Sequence, residues 1–441
     1  MGSVNKLRLL HQARKNQWLK PSELEELQNK KLRSIVKHAY ENTEFYHQKF
    51  RDAKLHPDDI KTVNDLKKIP FTTKEELRQQ KLESRISKGI NLSRCSIIRT
   101  SGSTGIPLKV VYDMAADDFS KAINLRSYIE NGLKLRSRWA VFDYSNEILP
   151  NSFDYKQPLW FQKLGIFNPI EITVLDSIDT QVDQLTKFKP EVLDGFTSSI
   201  RLLADFIDKN DINSINPKVV FGTSELLSPE TRKFINSVFD VEMIDHFGCV
   251  EVNRTAWECS EHAGYHMDAD AVIMEFLENG ENVSPGEKGE IVYTGLYNYA
   301  MPFIRYKIGD IGIPSDESCP CGRGLPLMKL IEGRSDSFMQ APDGRVFSPM
   351  IWEAIMVRFI GVGQYQAIQE KKDLIRILLV KKTEFSQSTI SQIEHDVKEV
   401  MGQEINVKVE IVNKIPKEKS GKMRFAVSKL KPCNASPSCC L

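Results

Sequence analysis

The sequence predicts an α/β protein in two parts. The larger is an N-terminal domain on a mostly parallel sheet with helices on both faces, plus a small β-rich part. The smaller is a C-terminal α+β domain. Three observations predict this. From about residue 95, short apolar runs alternate with amphipathic helical stretches, the pattern of a doubly wound sheet. After 265 the pattern turns to strands separated by Gly- or Pro-rich links. The last hundred or so residues then carry their own set of helices and strands. At 441 residues the chain is too long for one small domain.

In chain order, the first 90 residues look helical. Leu24, Leu27, Leu32, Ile35 and Val36 recur at helical spacing, ending near Phe45–Tyr46. Asn64-Asp65-Leu66 and Phe71–Leu77 resemble helix starts, the second with Thr73 as N-cap and Glu76 completing a capping box. Strands are expected at Ile97-Ile98, Trp139–Phe142, Ile172–Leu175, Val192-Leu193 and Val219–Phe221, with helices at 116–131, 180–188 and 199–208. Further strands are expected at 271–277, 289–294 and 311–313. The last unit reads as helix 349–359, strands 364–370 and 374–381, helix 388–401 and strand 405–412. Residues 431–441, with Cys433, Cys439 and Cys440, read as a disordered tail. Ser438 rules out a prenylation signal at the Ser-Cys-Cys-Leu end.

Hydrophobic residues (41%) and charged residues (27%) are in ordinary proportion for a soluble protein. Lys+Arg (60) and Asp+Glu (59) nearly cancel, so no global field favours nucleic acid or anionic lipid. No apolar run approaches the roughly 18–20 residues that span a bilayer. The first residues lack the apolar core of a signal peptide, so a cytoplasmic location is expected.

The strongest local signal is Arg99–Pro107, in which Ser101, Gly102, Ser103, Thr104 and Gly105 follow a strand. Glycines let backbone N–H groups approach phosphate closely, and the hydroxyls add donors. No Gly-Lys-Ser/Thr follows, which excludes a Walker loop. Taken alone, such a loop is more often a polar surface turn.

Thr100–Pro107 resembles the phosphate loop of the acyl-adenylate-forming superfamily, and four further segments match that family in order. Phe221-Gly222-Thr223-Ser224-Glu225 is similar to the segment lining the adenine and acyl pocket. Asp245-His246-Phe247-Gly248-Cys249-Val250-Glu251 resembles the aromatic-Gly-x-Thr/Ser-Glu motif, implying that Phe247 stacks on adenine and Glu251 holds Mg²⁺. Arg305–Asp310 implies that Asp310 accepts the ribose hydroxyls. Gly333-Arg334-Ser335-Asp336 and Pro416–Lys422 imply that Arg334 contacts the nucleotide, Asp336 is the hinge and Lys422 is catalytic. Within the superfamily the chain resembles the phenylacetate-CoA ligase-like branch with its capsule-biosynthesis relatives. That likeness rests on Leu32–Tyr46, Ile69–Lys74 and Cys319-Pro320-Cys321-Gly322-Arg323, and covers all but the last dozen residues. The implied domains are 1–333, a hinge at 334–336 and a lid at 337–430.

Two positions depart from the family. Val250 stands where a hydroxyl residue precedes the Mg²⁺ glutamate, and Leu108 stands where many relatives carry Lys.

Cys259-x₆-His266 with Cys319-Pro-Cys321 supplies three thiolates and one imidazole, the make-up of a closed structural Zn²⁺ site. His262 is an alternative fourth ligand, and buried free thiols are the plain alternative. Cys95 reads as core and Cys249 as pocket lining. His246 is expected to face the acyl pocket with Phe196 and Phe221, suggesting an aromatic or small acid. The expected reaction uses ATP and Mg²⁺ to make an acyl-AMP, then passes the acyl group to coenzyme A. Gly344 and Val346–Pro349 resemble the segment along the pantetheine channel. An amine or sugar acceptor, and a non-catalytic nucleotide-binding homologue, are the alternatives; relatives are often homodimers.

Overall fold

The computed structural model describes residues 2–100, 108–143, 165–174, 176–334, 337–347, 349–356, 358–359, 361–382, 385–416 and 423–430. The strands Ile170–Thr173, Trp139–Asp143, Val192–Phe196, Val219–Thr223 and Met243–Cys249 lie side by side and parallel. Their apolar residues point alternately to the two faces, as strand geometry requires. On one face Leu193, Val220 and Met243 pack against Ile200, Leu203 and Ile235 of the helices Thr197–Lys209 and Pro229–Phe239. On the other, Val192, Phe221 and Ile244 pack against Tyr128 of the helix Met114–Glu130.

The β-rich part continues the same sheet. Beyond Met243–Cys249 the neighbours run antiparallel through Asn253–Glu258, Tyr265–Met267, Leu327–Arg334, Tyr306–Ser315, Gly289–Gly295 and Val272–Glu278. One sheet is therefore parallel at one end and antiparallel at the other, and the change of direction falls at residues 243–258. Crevices at carboxyl ends of parallel strands are where α/β proteins bind ligands.

The N-terminal helices brace the antiparallel half. Pro21–Asn42 buries Leu24, Leu32, Ile35, Val36 and Ala39, and the backbone N–H of Ile304 donates to the Tyr46 hydroxyl at 2.8 Å. The Thr73–Glu76 capping box is formed in both directions, Thr73 N to Glu76 Oε2 at 2.7 Å and Glu76 N to Thr73 Oγ1 at 3.2 Å. Just before it, Thr72–Thr73 adds a short parallel pairing to Tyr306–Lys307.

Residues after 337 build a separate four-stranded sheet, ordered Asn406–Ile411, Leu374–Lys381, Val362–Lys371, Ala426–Ser428. Its core gathers Trp352, Ile375, Ile377 and Leu379 with Ile393, Val397 and Met401, which recur every fourth residue of the helix Ser388–Met401. Among the described residues, no helix is long and apolar enough to cross a membrane.

Candidate active site

The residues expected to hold phosphate, Ser101, Gly102, Ser103, Thr104 and Gly105, lie outside the described residues, but their base is clear. Ser96–Arg99 and Lys109–Tyr112 form an antiparallel hairpin. Thr100 closes it, giving its N–H to the Leu108 carbonyl and accepting the Leu108 N–H on Oγ1, both at 3.0 Å. Leu108 itself is core, which accounts for an apolar residue at that position.

The strand Met243–Cys249 delivers His246, Phe247 and Gly248 to the cavity wall. Gly248 is required by space: a Cβ there would meet the Asn253 carbonyl oxygen at 2.4 Å, where the neighbouring strand passes at a bulge. Glu251, only 2% exposed, accepts from the Tyr306 hydroxyl at 2.8 Å and lies 3.6 Å from the Lys74 ammonium. Val250 offers no hydroxyl, yet its carbonyl accepts from Tyr112 at 2.8 Å, which holds the turn before Glu251. Asp310 is buried and accepts from the Tyr293 hydroxyl at 2.9 Å; its ladder partner is Arg334, whose side chain lies outside the described residues. Asp336, Ser348 and Lys422 also lie outside them.

These groups surround one cavity of about 890 Å³ between the large sheet and the small domain. The large domain contributes Thr100, Ser224, Glu225, His246, Phe247, Cys249, Glu251 and Asp310; the small domain contributes Tyr365, Met423 and Arg424. Ser224 takes a left-handed φ of 68°, turning the chain as it leaves the Val219–Thr223 strand, while Gly222 and Thr223 stand behind the wall. Glu225 then accepts from Ser198 through N (2.7 Å) and Oγ (3.0 Å), and from the Met423 N–H at 3.0 Å. A second bridge joins Lys382 to Asp205 at 3.3 Å.

Two expectations for the acyl pocket need correction. Phe196 packs in the core beneath the outer helices, and Phe221 lies under His246, ring on ring at 4.9 Å, so neither forms the cavity wall. Strand alternation sends those side chains inward. His246 alone reaches the cavity, held by Phe221 and by the edge of Tyr128 at 4.8 Å.

Buried charge marks this end of the sheet. Burial raises Asp194 to about 6, against the Tyr128 hydroxyl at 2.6 Å and the nearby Arg254 guanidinium. Burial and then the Glu258 carboxylate push Asp245 to about 7. Burial and then Arg254 hold His246 well below the ordinary imidazole range, so its ring is neutral.

Further along the sheet, around the strands Asn253–Glu258 and Tyr265–Met267, the ligand atoms of Cys259, His266, Cys319 and Cys321 all lie within 4.8 Å of one another. Cys259 Sγ is 3.6 Å from Cys319 Sγ, and Cys321 Sγ is 3.3 Å from His266 Nε2. Metal–ligand lengths of about 2.3 Å (S) and 2.1 Å (N) place tetrahedral donors roughly 3.5–3.8 Å apart, so the set fits a Zn²⁺ ion. His262 faces Glu258 at 3.7 Å instead. Burial lowers the His266 pKa to about 4, leaving the neutral form a metal requires. Cys95 is half-buried at a core edge and donates to the Asn91 carbonyl at 3.3 Å. The knuckle rests on the start of the chain: Gly324 N–H donates to the Gln17 carbonyl at 2.9 Å, and a Cβ on Gly324 would meet the Leu19 oxygen at 1.8 Å.

Sequence reading gave no role to Lys74 or Tyr306, and placed Glu225 in the pocket-lining segment without its contact to the small domain. Lys74 sits one residue past a capping threonine, where a lysine is ordinarily solvated. Only the pairing of Thr72–Thr73 with Tyr306–Lys307 aims it at Glu251.

The comparisons agree with this geometry. Over 94% of its length the chain superposes on 2-hydroxyisobutyryl-CoA ligase in its postadenylation state, with a TM-score of 0.78 at 18% identity over 91% of that chain. On the same enzyme in its thioesterification state the TM-score is 0.65, at 19% identity, covering 94% of this chain and 91% of that one. The fold is that of the acyl-adenylate-forming ligases. In sequence the chain is similar to CapK and to the phenylacetate-coenzyme A ligases. It is 26% identical to Protein CapK of Staphylococcus aureus, covering 93% of this chain and 90% of that protein. It is 27% identical to the phenylacetate-coenzyme A ligase of Escherichia coli, over 89% and 91% respectively. Residues 339–429 match the family described as the CapK C-terminal domain.

Proposed function

We propose that this chain activates a carboxylic acid with ATP to an acyl-AMP and then transfers the acyl group to coenzyme A. The observation that carries this reading is the convergence on one cavity of Phe247, Glu251 and Asp310 with a small-domain segment anchored at Met423.

In the first half-reaction a carboxylate oxygen of the acid bonds to the α-phosphorus of ATP, and the bond from that phosphorus to the β-bridging oxygen breaks. Pyrophosphate carries away the electron pair. Phe247 stacks on adenine, with Gly248 and the Gly222–Ser224 turn beside it, and Asp310 accepts the ribose hydroxyls. Arg334 contacts the nucleotide, and Ser101–Gly105 hold phosphate. Lys422 and Lys74 offset the charge that builds as the oxygens meet. Mg²⁺ would be held by Glu251, a single buried carboxylate of the kind this ion shares with substrate phosphates, and would neutralise phosphate charge. In the second half-reaction the thiol sulfur bonds to the acyl carbon, AMP leaves, and the small domain has turned about Asp336. Cys259, His266, Cys319 and Cys321 hold a structural Zn²⁺ away from the chemistry. A cytoplasmic homodimer completes the reading.

The alternative acceptor, implied by the resemblance to capsule-biosynthesis relatives, is an amine or sugar hydroxyl in place of the thiol. The test is ATP–pyrophosphate exchange across aryl, amino and short-chain acids, in wild type and Lys422→Ala, with AMP release followed with and without coenzyme A. Acid-dependent exchange lost in the variant supports adenylation, and AMP release stimulated by coenzyme A supports the thiol acceptor. ATP binding without exchange for any acid would overturn the reading.

A further inference from the structure

Among the described residues, polar atoms without hydrogen-bond partners gather on the face of the sheet that carries His246: its own Nδ1 and Nε2 at the cavity wall and, just behind, Oδ1 of Asp194. His246 is 2% exposed and Asp194 4%. A buried polar group left unbonded costs about 1–3 kcal/mol, so several together at a cavity wall are stabilised only when a ligand supplies their partners.

The groups are held in place rather than loosely packed. His246 is fixed between Phe221 and Tyr128. Tyr128 is itself pinned, donating to Asp194 at 2.6 Å, accepting from Arg254 at 3.0 Å, and carrying the Arg254 guanidinium 4.5 Å above its ring.

The chemistry of this lining selects a ligand. A neutral imidazole presents one donor and one acceptor. A hydroxyl satisfies both kinds at once. A plain hydrocarbon satisfies neither. An ammonium offers donors only and would share the neighbourhood with Arg254, whose charge already disfavours a second cation beside His246. Resting on the adenylation reading above, we propose that the acid this chain activates carries a hydroxyl on its acyl part, recognised by His246.

The experiment compares ATP–pyrophosphate exchange for butyrate, 3-hydroxybutyrate and 3-aminobutyrate, and for phenylacetate and 4-hydroxyphenylacetate, in wild type, His246→Leu and His246→Gln. The ratio of kcat/KM for hydroxylated over plain acid is read within each variant, and ATP binding is measured on each as a control for folding. The expected wild-type ratio is at least about tenfold, because a site built to bond a hydroxyl rejects the analogue lacking it. It collapses towards unity in His246→Leu and is partly kept in His246→Gln. A wild-type preference for the plain acids or the amino acid, or a ratio unmoved by His246→Leu, overturns this inference while leaving adenylation standing. Exchange with no acid at all overturns both.

Discussion

The backbone N–H of Met423 donates to Oε1 of Glu225 at 3.0 Å, and through this bond the small domain meets the cavity wall. The same carboxylate takes both the N–H and the hydroxyl of Ser198. Glu225 is thus the joint between the start of the Thr197–Lys209 helix and the segment that follows Lys422.

Replacing Glu225 with Ala leaves three donors without their acceptor. The expected outcome is a fall in kcat for acid-dependent ATP–pyrophosphate exchange of roughly tenfold to a hundredfold, the scale of a misplaced catalytic segment. The KM for ATP should move much less. A matched loss in ATP affinity would mean that Glu225 serves nucleotide binding instead.

The Cys₃His set makes a separate prediction. The purified protein should carry about one zinc per chain by elemental analysis. Cys319→Ser, or prolonged chelation, should lower Tm by at least about 5 °C, since each kcal/mol moves Tm by roughly 2–4 °C in domains of 150–250 residues. Metal-free protein of unchanged Tm would return these residues to the class of buried thiols.

Arg126 is fully buried and paired with both Asp268 and Asp270, the latter at 3.0 Å. Arg126→Met leaves two buried carboxylates without their cation, and urea unfolding should show a loss of about 3–5 kcal/mol. Nucleotide binding in the still-folded fraction should be intact, because this network lies between the first helix and the Met114–Glu130 helix rather than on the cavity wall.

Asp194 gives a prediction in pH. Its folded pKa is raised to about 6 from an ordinary 3.8, so the folded state holds the proton more tightly than the unfolded chain. Its stabilising contribution is present below pH 3.8 and is lost as pH rises through about 6, on the order of 3 kcal/mol. Asp194→Asn keeps an acceptor for Tyr128 and removes that titration. Relative to wild type, the variant should therefore gain stability between pH 4 and pH 7 in urea unfolding. A constant difference across that range would show that Asp194 does not titrate there.

Much of the site was legible because its chemistry is local. Glu251, Phe247 and Asp310, picked out by short motifs, line one cavity, and the Thr73–Glu76 capping box is formed as its spacing predicts. The helix Ser388–Met401 matches its expected bounds because Ile393, Val397 and Met401 repeat cleanly. The Met243–Cys249 strand was not legible as a strand. Buried Asp245 and His246 break its apolar alternation, and polar residues are buried there for the cavity rather than for the core. The continuity of the parallel and antiparallel halves was equally hidden, since strand order is fixed by contacts far apart in sequence. Lys74 escaped for the same reason: its partner Glu251 is a long-range neighbour that no local spacing announces.

The contact of Gly324 with Gln17 and Leu19 bears on how the chain is made. Arg323 and Gln17, bonded side chain to side chain at 3.0 Å, are 306 residues apart. A ribosome adding roughly 5–20 residues each second needs about 15–60 s to cover that distance. Throughout that interval the surface formed by residues 17–20 waits without the turn that will cover it. The first helices cannot reach their final setting until most of the large domain has emerged, so the N-terminus is synthesised first and seated last.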